Sequence, residues 1–115
     1  MKTTALLALG LLLSGILSTA SAAGDAAAGK EKSAMCQSCH GADGNSTDPN
    51  FPRLAGQHAS YIERALMDYR SGTRKNPIMA GFAGGLTDDE ITNLAAYFSS
   101  QTGVVTAVQP NQVQP

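Results

Sequence analysis

Two thiols and an imidazole fall within five residues in Cys36-Gln37-Ser38-Cys39-His40. That spacing suits covalent haem attachment, because two cysteines three apart can add to the two vinyl groups on one edge of a single haem. The adjacent His40 imidazole then meets the iron from the proximal side as its first axial ligand. Cys36 and Cys39 are the only cysteines of the chain, so the motif uses both.

Other uses of the same residues fit less well. A thioredoxin-like redox pair normally opens a helix that follows a strand, whereas Asp25 to Met35 is rich in Ala and Lys and reads as helix. A structural zinc site needs four ligands, and His58 is the one further histidine. A disulfide within so small a ring is strained and gives His40 no part to play.

The segment before the motif reads as an export signal. Lys2 supplies a positive start, Ala5 to Leu17 an apolar stretch, and Ala20-Ser21-Ala22 a small-residue cleavage site. The apolar run is short for a membrane span, which takes about 20 residues, and no basic flank follows it. The expected organisation is a cleaved signal over residues 1–23, one domain over 24–102, and a flexible Gln- and Pro-containing tail over 103–115. Haem is attached to such motifs outside the bacterial cytoplasm, so the expected location is the periplasm, with no integral span after cleavage.

Removing 23 of the 115 residues leaves about 92, enough for one domain near the lower limit for an ordinary core. There is no Trp, and only three Phe and three Tyr. A covalently held haem would supply the apolar plate that such a core lacks, and the chain without it is expected to fold poorly. Taking Lys2 away with the signal leaves seven basic against nine acidic residues, a balance that argues against nucleic acid as a partner.

Three main helices must position the chemistry. The first starts at Asp25, a good N-cap, and runs to the cysteine pair; Ala26, Gly29 and Ser33 give it a face of small residues. Gly41 to Gln57, with Pro49, Pro52 and polar turn residues, predicts a long irregular loop. The second helix spans about His58 to Ser71, with Tyr61, Ile62, Ala65, Leu66 and Tyr69 on one side, and ends at Gly72. Thr87-Asp88-Asp89-Glu90 is a capping box for the third, whose Ile91, Leu94, Ala95 and Phe98 recur at helical spacing, with Gly103 closing it.

The sixth iron position decides between electron transfer and ligand chemistry. Met35 is too close to Cys36 to swing round the ring. Met67 reads as core filler on the second helix. His58 reads as a first-turn residue facing solvent, although ligation by two histidines is chemically reasonable. Met79 lies in Lys75-Asn76-Pro77-Ile78-Met79-Ala80-Gly81-Phe82, expected to be a loop between helices that covers the distal side. It is the favoured second ligand.

Taken in order, Cys36–His40, Gly41-Ala42-Asp43-Gly44-Asn45, Phe51-Pro52-Arg53-Leu54-Ala55-Gly56-Gln57, the Met79 segment, Leu86 to Glu90 and Leu94-Ala95-Ala96-Tyr97-Phe98 resemble class I cytochromes c. The likeness is to the short bacterial periplasmic branch, the c553 type and the single-haem half of the c4 type. It implies an all-α class I fold of three main helices and long loops wrapped around one covalent haem c. It also implies thioether bonds at Cys36 and Cys39 and axial ligation by His40 and Met79. By the same likeness the Pro52 carbonyl would accept a hydrogen bond from His40, Leu54 would pack near the proximal histidine, and Gly29 would mark the crossing of the first and last helices, against Tyr97 or Phe98.

The function implied is a one-electron carrier with a low-spin haem, passing electrons transiently between redox partner proteins, and not an enzyme. Arg70, Arg74 and Lys75 form a basic cluster that could steer an acidic partner or simply suit a helix C-terminus. Two alternatives are a haem-bearing subunit of a larger dehydrogenase or oxidase complex and, less favoured, a ligand-binding haem sensor.

Overall fold

The computed structural model describes residues 23–103. Of the expected signal over 1–23 and tail over 103–115, residues 1–22 and 104–115 lie outside the described residues. Five helices follow in chain order: α1 (Ala26–Lys32), α2 (Ala34–His40), α3 (Ala59–Ser71), α4 (Pro77–Ala83) and α5 (Asp88–Ser100). The described fold is all-α, as the sequence leads one to expect, but three expected boundaries differ.

The first difference is a break at Ser33. Asp25 caps α1 through Oδ1, which accepts from the backbone N–H groups of Ala27 and Ala28 at 2.8 and 3.2 Å. One helix was expected to continue to the cysteines. Instead the buried Ser33 hydroxyl donates to the Lys30 carbonyl at 2.7 Å and accepts from the Gln37 side-chain amide at 3.2 Å. A hydroxyl that bonds back to the preceding turn bends a helix. The Cys36 N–H then reaches only to the Ser33 carbonyl, a tighter turn that opens α2.

The second difference concerns the segment that carries Met79. It is helix α4, not loop. Asn76 caps it by accepting from Ile78 N–H and Met79 N–H at 3.0 and 3.1 Å, and Pro77 occupies its first turn, where a missing N–H costs nothing. A proline read as a loop stiffener is therefore a helix initiator.

α1 packs across α5, and α3 packs on both α5 and α4. Gly29 is buried at the first of these crossings, where a Cβ would run into the Asn93 carbonyl and the Tyr97 side chain. Only a glycine lets the backbones come this close. Lys32 on α1 and Glu90 on α5 add an ion pair of 2.6 Å across the same crossing.

α5 is the centre of the core: Ile91, Leu94, Ala95, Tyr97 and Phe98 are all buried. The expected capping box is present, with Glu90 N–H donating to Thr87 Oγ1 and Thr87 N–H donating to the Glu90 carboxylate. Its far end is not closed by Gly103. The Ser100 hydroxyl and the Gln101 amide both donate to the Tyr97 carbonyl, at 2.7 and 3.1 Å, and Gln101 leaves the helix in extended conformation. Gly103 instead lies flat against the Ala55 backbone, with no room for a side chain.

Candidate cofactor site

His40 is the last residue of α2, and the loop that follows must return to it. Gly41 and Gly44 turn the chain with φ of +87° and +84°, values that L side chains rarely adopt. The Gly44 carbonyl then accepts from Leu54 N–H at 2.8 Å and from Ala55 N–H at 3.2 Å, which pins the far end of the loop beside its start. Tyr97 fixes the same turn from α5 by donating its hydroxyl to the Ala42 carbonyl at 3.0 Å.

This return places the Pro52 carbonyl 2.8 Å from His40 Nδ1. A carbonyl oxygen can only accept, so Nδ1 carries the proton and Nε2 keeps its lone pair. The ring is buried and meets Phe51 edge-on, with centroids 6.3 Å apart and planes at 67°. His40 is thereby held with one nitrogen occupied and the other available as a ligand, the arrangement that orients metal-bound histidines.

Cys36, Cys39, His40, Pro52, Leu54 and Met79 all line one cavity. α2 supplies the thiols and the imidazole, the returning loop supplies Pro52 and Leu54, and α4 supplies Met79. The wall between them is α3, through Tyr61, Ile62, Ala65, Leu66 and Tyr69, with Leu94 and Phe98 of α5 at the back. Both thiols are half-buried and unpaired. Burial, more than the neighbouring Cys39, pushes the Cys36 thiol pKa upward, and Lys32 offsets this in part.

The donor set suits haem: two free thiols, an imidazole with a free lone pair and a thioether, all around an apolar interior. Met35 also lines this cavity but lies beside Cys36 on α2, while His58 is exposed at the start of α3. Met67 packs partly buried against the core cluster.

Further residues at the cavity were not singled out by the sequence as part of it. Phe51 flanks His40, Gln57 and Arg53 come from the returning loop, and Arg74 comes from the turn after α3. The basic cluster expected at Arg70, Arg74 and Lys75 is divided. Arg70 donates to the Leu86 carbonyl at 2.8 Å and to Asp88 at 2.6 Å. Arg74 folds back over α3, its guanidinium 4.8 Å from the Tyr69 ring centroid and 3.4 Å from the Tyr61 hydroxyl. The signal for this was Gly72, whose φ of +79° ends α3 and reverses the chain.

Comparison with known proteins places these features in a family. The chain matches the cytochrome c family over residues 26–102. It is 48% identical over 103 residues to cytochrome c4 of Pseudomonas aeruginosa, a match covering 90% of this chain and 51% of that protein. It is 48% identical over 82 residues to cytochrome c-554(548) of Halomonas halodenitrificans, covering 69% of this chain and 99% of that one. A match of 40% over 72 residues to the cytochrome subunit of sulfide dehydrogenase from Chlorobaculum tepidum covers 63% and 64%. Among solved structures, reduced cytochrome c4 from Pseudomonas stutzeri superposes with a TM-score of 0.68 at 45% identity, over 77% of this chain and 52% of that one. The chain thus spans about half the length of the cytochrome c4 proteins it matches.

Proposed function

The chain belongs to the cytochrome c family and carries covalently bound haem c, and from that premise we propose that it is a periplasmic electron carrier whose single haem is ligated by His40 and Met79. The observation that carries this reading is the shared cavity of Cys36, Cys39, His40 and Met79, with His40 Nδ1 given to the Pro52 carbonyl. On this reading Cys36 and Cys39 form the two thioether bonds, Leu54 packs beside the proximal histidine, and Met79 closes the sixth position.

Bound haem supplies a one-electron couple at its iron. The protein's part is to hold both axial donors in place, so that little rearranges when the charge changes. Pro52 fixes the His40 tautomer and raises its basicity as a ligand. A methionine thioether as second axial ligand raises the potential, and the apolar wall of α3 and α5 acts in the same direction by disfavouring the extra charge of the ferric state. With both positions filled by protein, small molecules are kept from the iron.

Residues 1–23 would be the export signal that delivers the chain to the periplasm, 24–102 the haem domain and 103–115 a tail. Among the described residues no helix is long and apolar enough to cross a membrane. Redox partner proteins would dock transiently, as electron-transfer encounters of small area do. A second reading, a haem-bearing subunit of a larger dehydrogenase or oxidase complex, is favoured by the similarity to the cytochrome subunit of sulfide dehydrogenase.

The visible spectrum of the exported holoprotein, with and without carbon monoxide, tests the ligand assignment. Wild type should be low-spin with the weak far-red band of sulfur ligation and should not respond to carbon monoxide. Met79→Ala should lose that band and bind the gas. A wild-type haem that is high-spin or binds carbon monoxide readily refutes the carrier reading and favours a ligand-binding sensor. Purification from the periplasm with a stoichiometric partner would select the subunit reading.

A further inference from the structure

The segment that follows α5 is tied to the loop that serves His40, and one side chain makes the tie. Asn45 Nδ2 donates to the Thr102 carbonyl, 57 residues further along the chain, at 2.9 Å. The same amide donates to Asp43 Oδ2 at 2.9 Å, and the Asn45 backbone N–H donates to Asp43 Oδ1 at 3.0 Å. Both amide hydrogens are thereby committed, and the Asp43 carboxylate leaves the Asn45 side chain one orientation. Two further contacts seat the loop on the end of α5. Gly103 lies flat against the Ala55 backbone, and Gly56 N–H donates to the Phe98 carbonyl at 3.0 Å.

This tie bears on the support of the proximal histidine. Ser46, which follows Asn45, is buried, and its carbonyl accepts from Arg53 Nε at 2.9 Å. Arg53 follows Pro52, whose carbonyl holds His40 Nδ1. The backbone of Asn45 and Ser46 also lies against Gly41, the residue after His40, where a Cβ would come within 3.1 Å of it. Thr102, Asn45, Ser46, Arg53, Pro52 and His40 are thus joined in sequence by peptide links and hydrogen bonds. An outer partner orients a ligand only as firmly as it is itself held. Thr102 is exposed and Asn45 half-buried, so this latch can be removed without opening the core.

We propose that Asn45 is a positioning residue for His40: by latching the Thr102 carbonyl to the returning loop, it keeps the Pro52 carbonyl close on His40 Nδ1. This rests on the reading that the cavity contains the haem and that His40 ligates its iron. A closely held carbonyl draws on the Nδ1 proton and makes the imidazole a stronger donor through its other nitrogen. A stronger donor favours the ferric state. Without the latch the loop relaxes, the hydrogen bond to His40 weakens and the potential rises.

The test compares exported holoprotein of wild type, Asn45→Ala and Asp43→Asn at pH 7. Covalent haem content is measured first by the alkaline pyridine spectrum. A wild type without covalent haem refutes the cavity reading, and the latch with it. With haem in place, exchange of the His40 Nδ1–H for deuterium is followed by nuclear magnetic resonance in the ferrous state, and the potential by spectroelectrochemistry. Asn45→Ala, which leaves the net charge unchanged, should speed the Nδ1–H exchange at least tenfold. It should also raise the reduction equilibrium constant at least twofold, about 18 mV at 59 mV per tenfold for one electron. Amides at the crossing of α1 and α5 should exchange at wild-type rates. Asp43→Asn keeps an acceptor for the Asn45 backbone N–H but not for its side chain, and should speed the Nδ1–H exchange by less. If Asn45→Ala cannot be loaded with haem, Asp43→Asn decides, by the exchange alone. A wild-type Nδ1–H exchange rate overturns the proposal, as does a potential in Asn45→Ala that fails to rise. Equal acceleration at the α1–α5 amides, the mark of a general loss of stability, overturns it as well.

Discussion

Pro52 contributes only a carbonyl oxygen to the site, and that oxygen determines what His40 can do. The sequence places Cys36, Cys39 and His40 together because they are adjacent, whereas Pro52 lies 12 residues further on. Its contact is with main chain, so a side-chain pattern gives no signal for it; only the family likeness pointed there. Arg53 and Arg74 gave no signal either, because their approach to the cavity depends on how the chain turns before them. Single side chains also carry the acid sensitivity of the fold. The Glu90 carboxylate is held below its usual pKa first by the Lys32 ammonium and then by the Thr87 N–H. A group whose pKa is lowered by folding stabilises the folded state above its unfolded value, about 4.3 for Glu, and loses that contribution as pH falls through the depressed folded value. Glu90→Gln should therefore be less stable than wild type at pH 6, with the difference shrinking as pH falls toward about 3. Denaturant midpoints across that range check it; a gap that stays constant with pH would show that Glu90 acts only through its shape. The Asp43 carboxylate, lowered first by the Asn45 side-chain amide, adds to the same acid limb.

Elements with a strong local cap were legible in the sequence, and elements shaped by a bond to a neighbouring turn were less so. The α5 capping box and the end of α3 at Gly72 follow from local chemistry alone. Ser33 could equally have faced inward without bending the helix; its bond to Lys30 depends on the crowding of α1 against α5. Asn76-Pro77 is a helix start as much as a turn, and seven residues are too few for periodicity to separate the two. This matters because α4 is what aims Met79. Asn76→Ala removes the cap from both Ile78 and Met79 N–H groups and should cost about 1 kcal/mol. The expected readout is partial carbon monoxide binding at a temperature where wild type has none, and Asn76→Asp should restore exclusion. Equal exclusion in Asn76→Ala and wild type would mean that α4 does not depend on its cap. At the α1–α5 crossing, Gly29→Ala sets a gain in helix propensity of about 1 kcal/mol against a Cβ pressed on the Asn93 carbonyl. Overpacking costs about 1–3 kcal/mol, and a backbone oxygen has nowhere to move. With the overpacking cost at its upper end, the net effect should be a loss of about 2 kcal/mol, read from the denaturant midpoint. A neutral or stabilised variant would show that the two helices can separate slightly without loss.

Across the whole molecule the buried side chains lie to one side. α5 carries buried residues along its length and receives α1 and α3, whereas α4 packs chiefly on α3. Around the cavity, Tyr61 and Ile78 are more than half exposed, and Met35 and Phe82 more than a third. These exposed side chains have little to pack on but what fills the cavity. Haem is therefore part of the core for α3 and α4 and much less so for α1 and α5, and the chain without it should lose its helices unevenly. Burying an aromatic or large aliphatic side chain contributes about 1.5–3 kcal/mol, so three or four such residues left in water cost about as much as the whole stability of about 5–10 kcal/mol for a domain of this size. A Cys36→Ser/Cys39→Ser variant, which cannot retain haem covalently, should lose helical signal and cooperative melting after any unattached haem is removed. Hydrogen exchange should locate the loss: protection absent in α4, weakened in α3, and longest-lived where Gly29 meets α5. Equal protection in α4 and α5 of the haem-free chain would contradict this, since α4 would then be held by protein contacts alone. The same asymmetry bears on the redox cycle. The Met79 side of the haem rests on α4, which packs chiefly on α3, whereas on the His40 side the ring itself is fixed by the Pro52 carbonyl and meets Phe51. When the iron changes charge, whatever movement occurs should therefore appear first in α4.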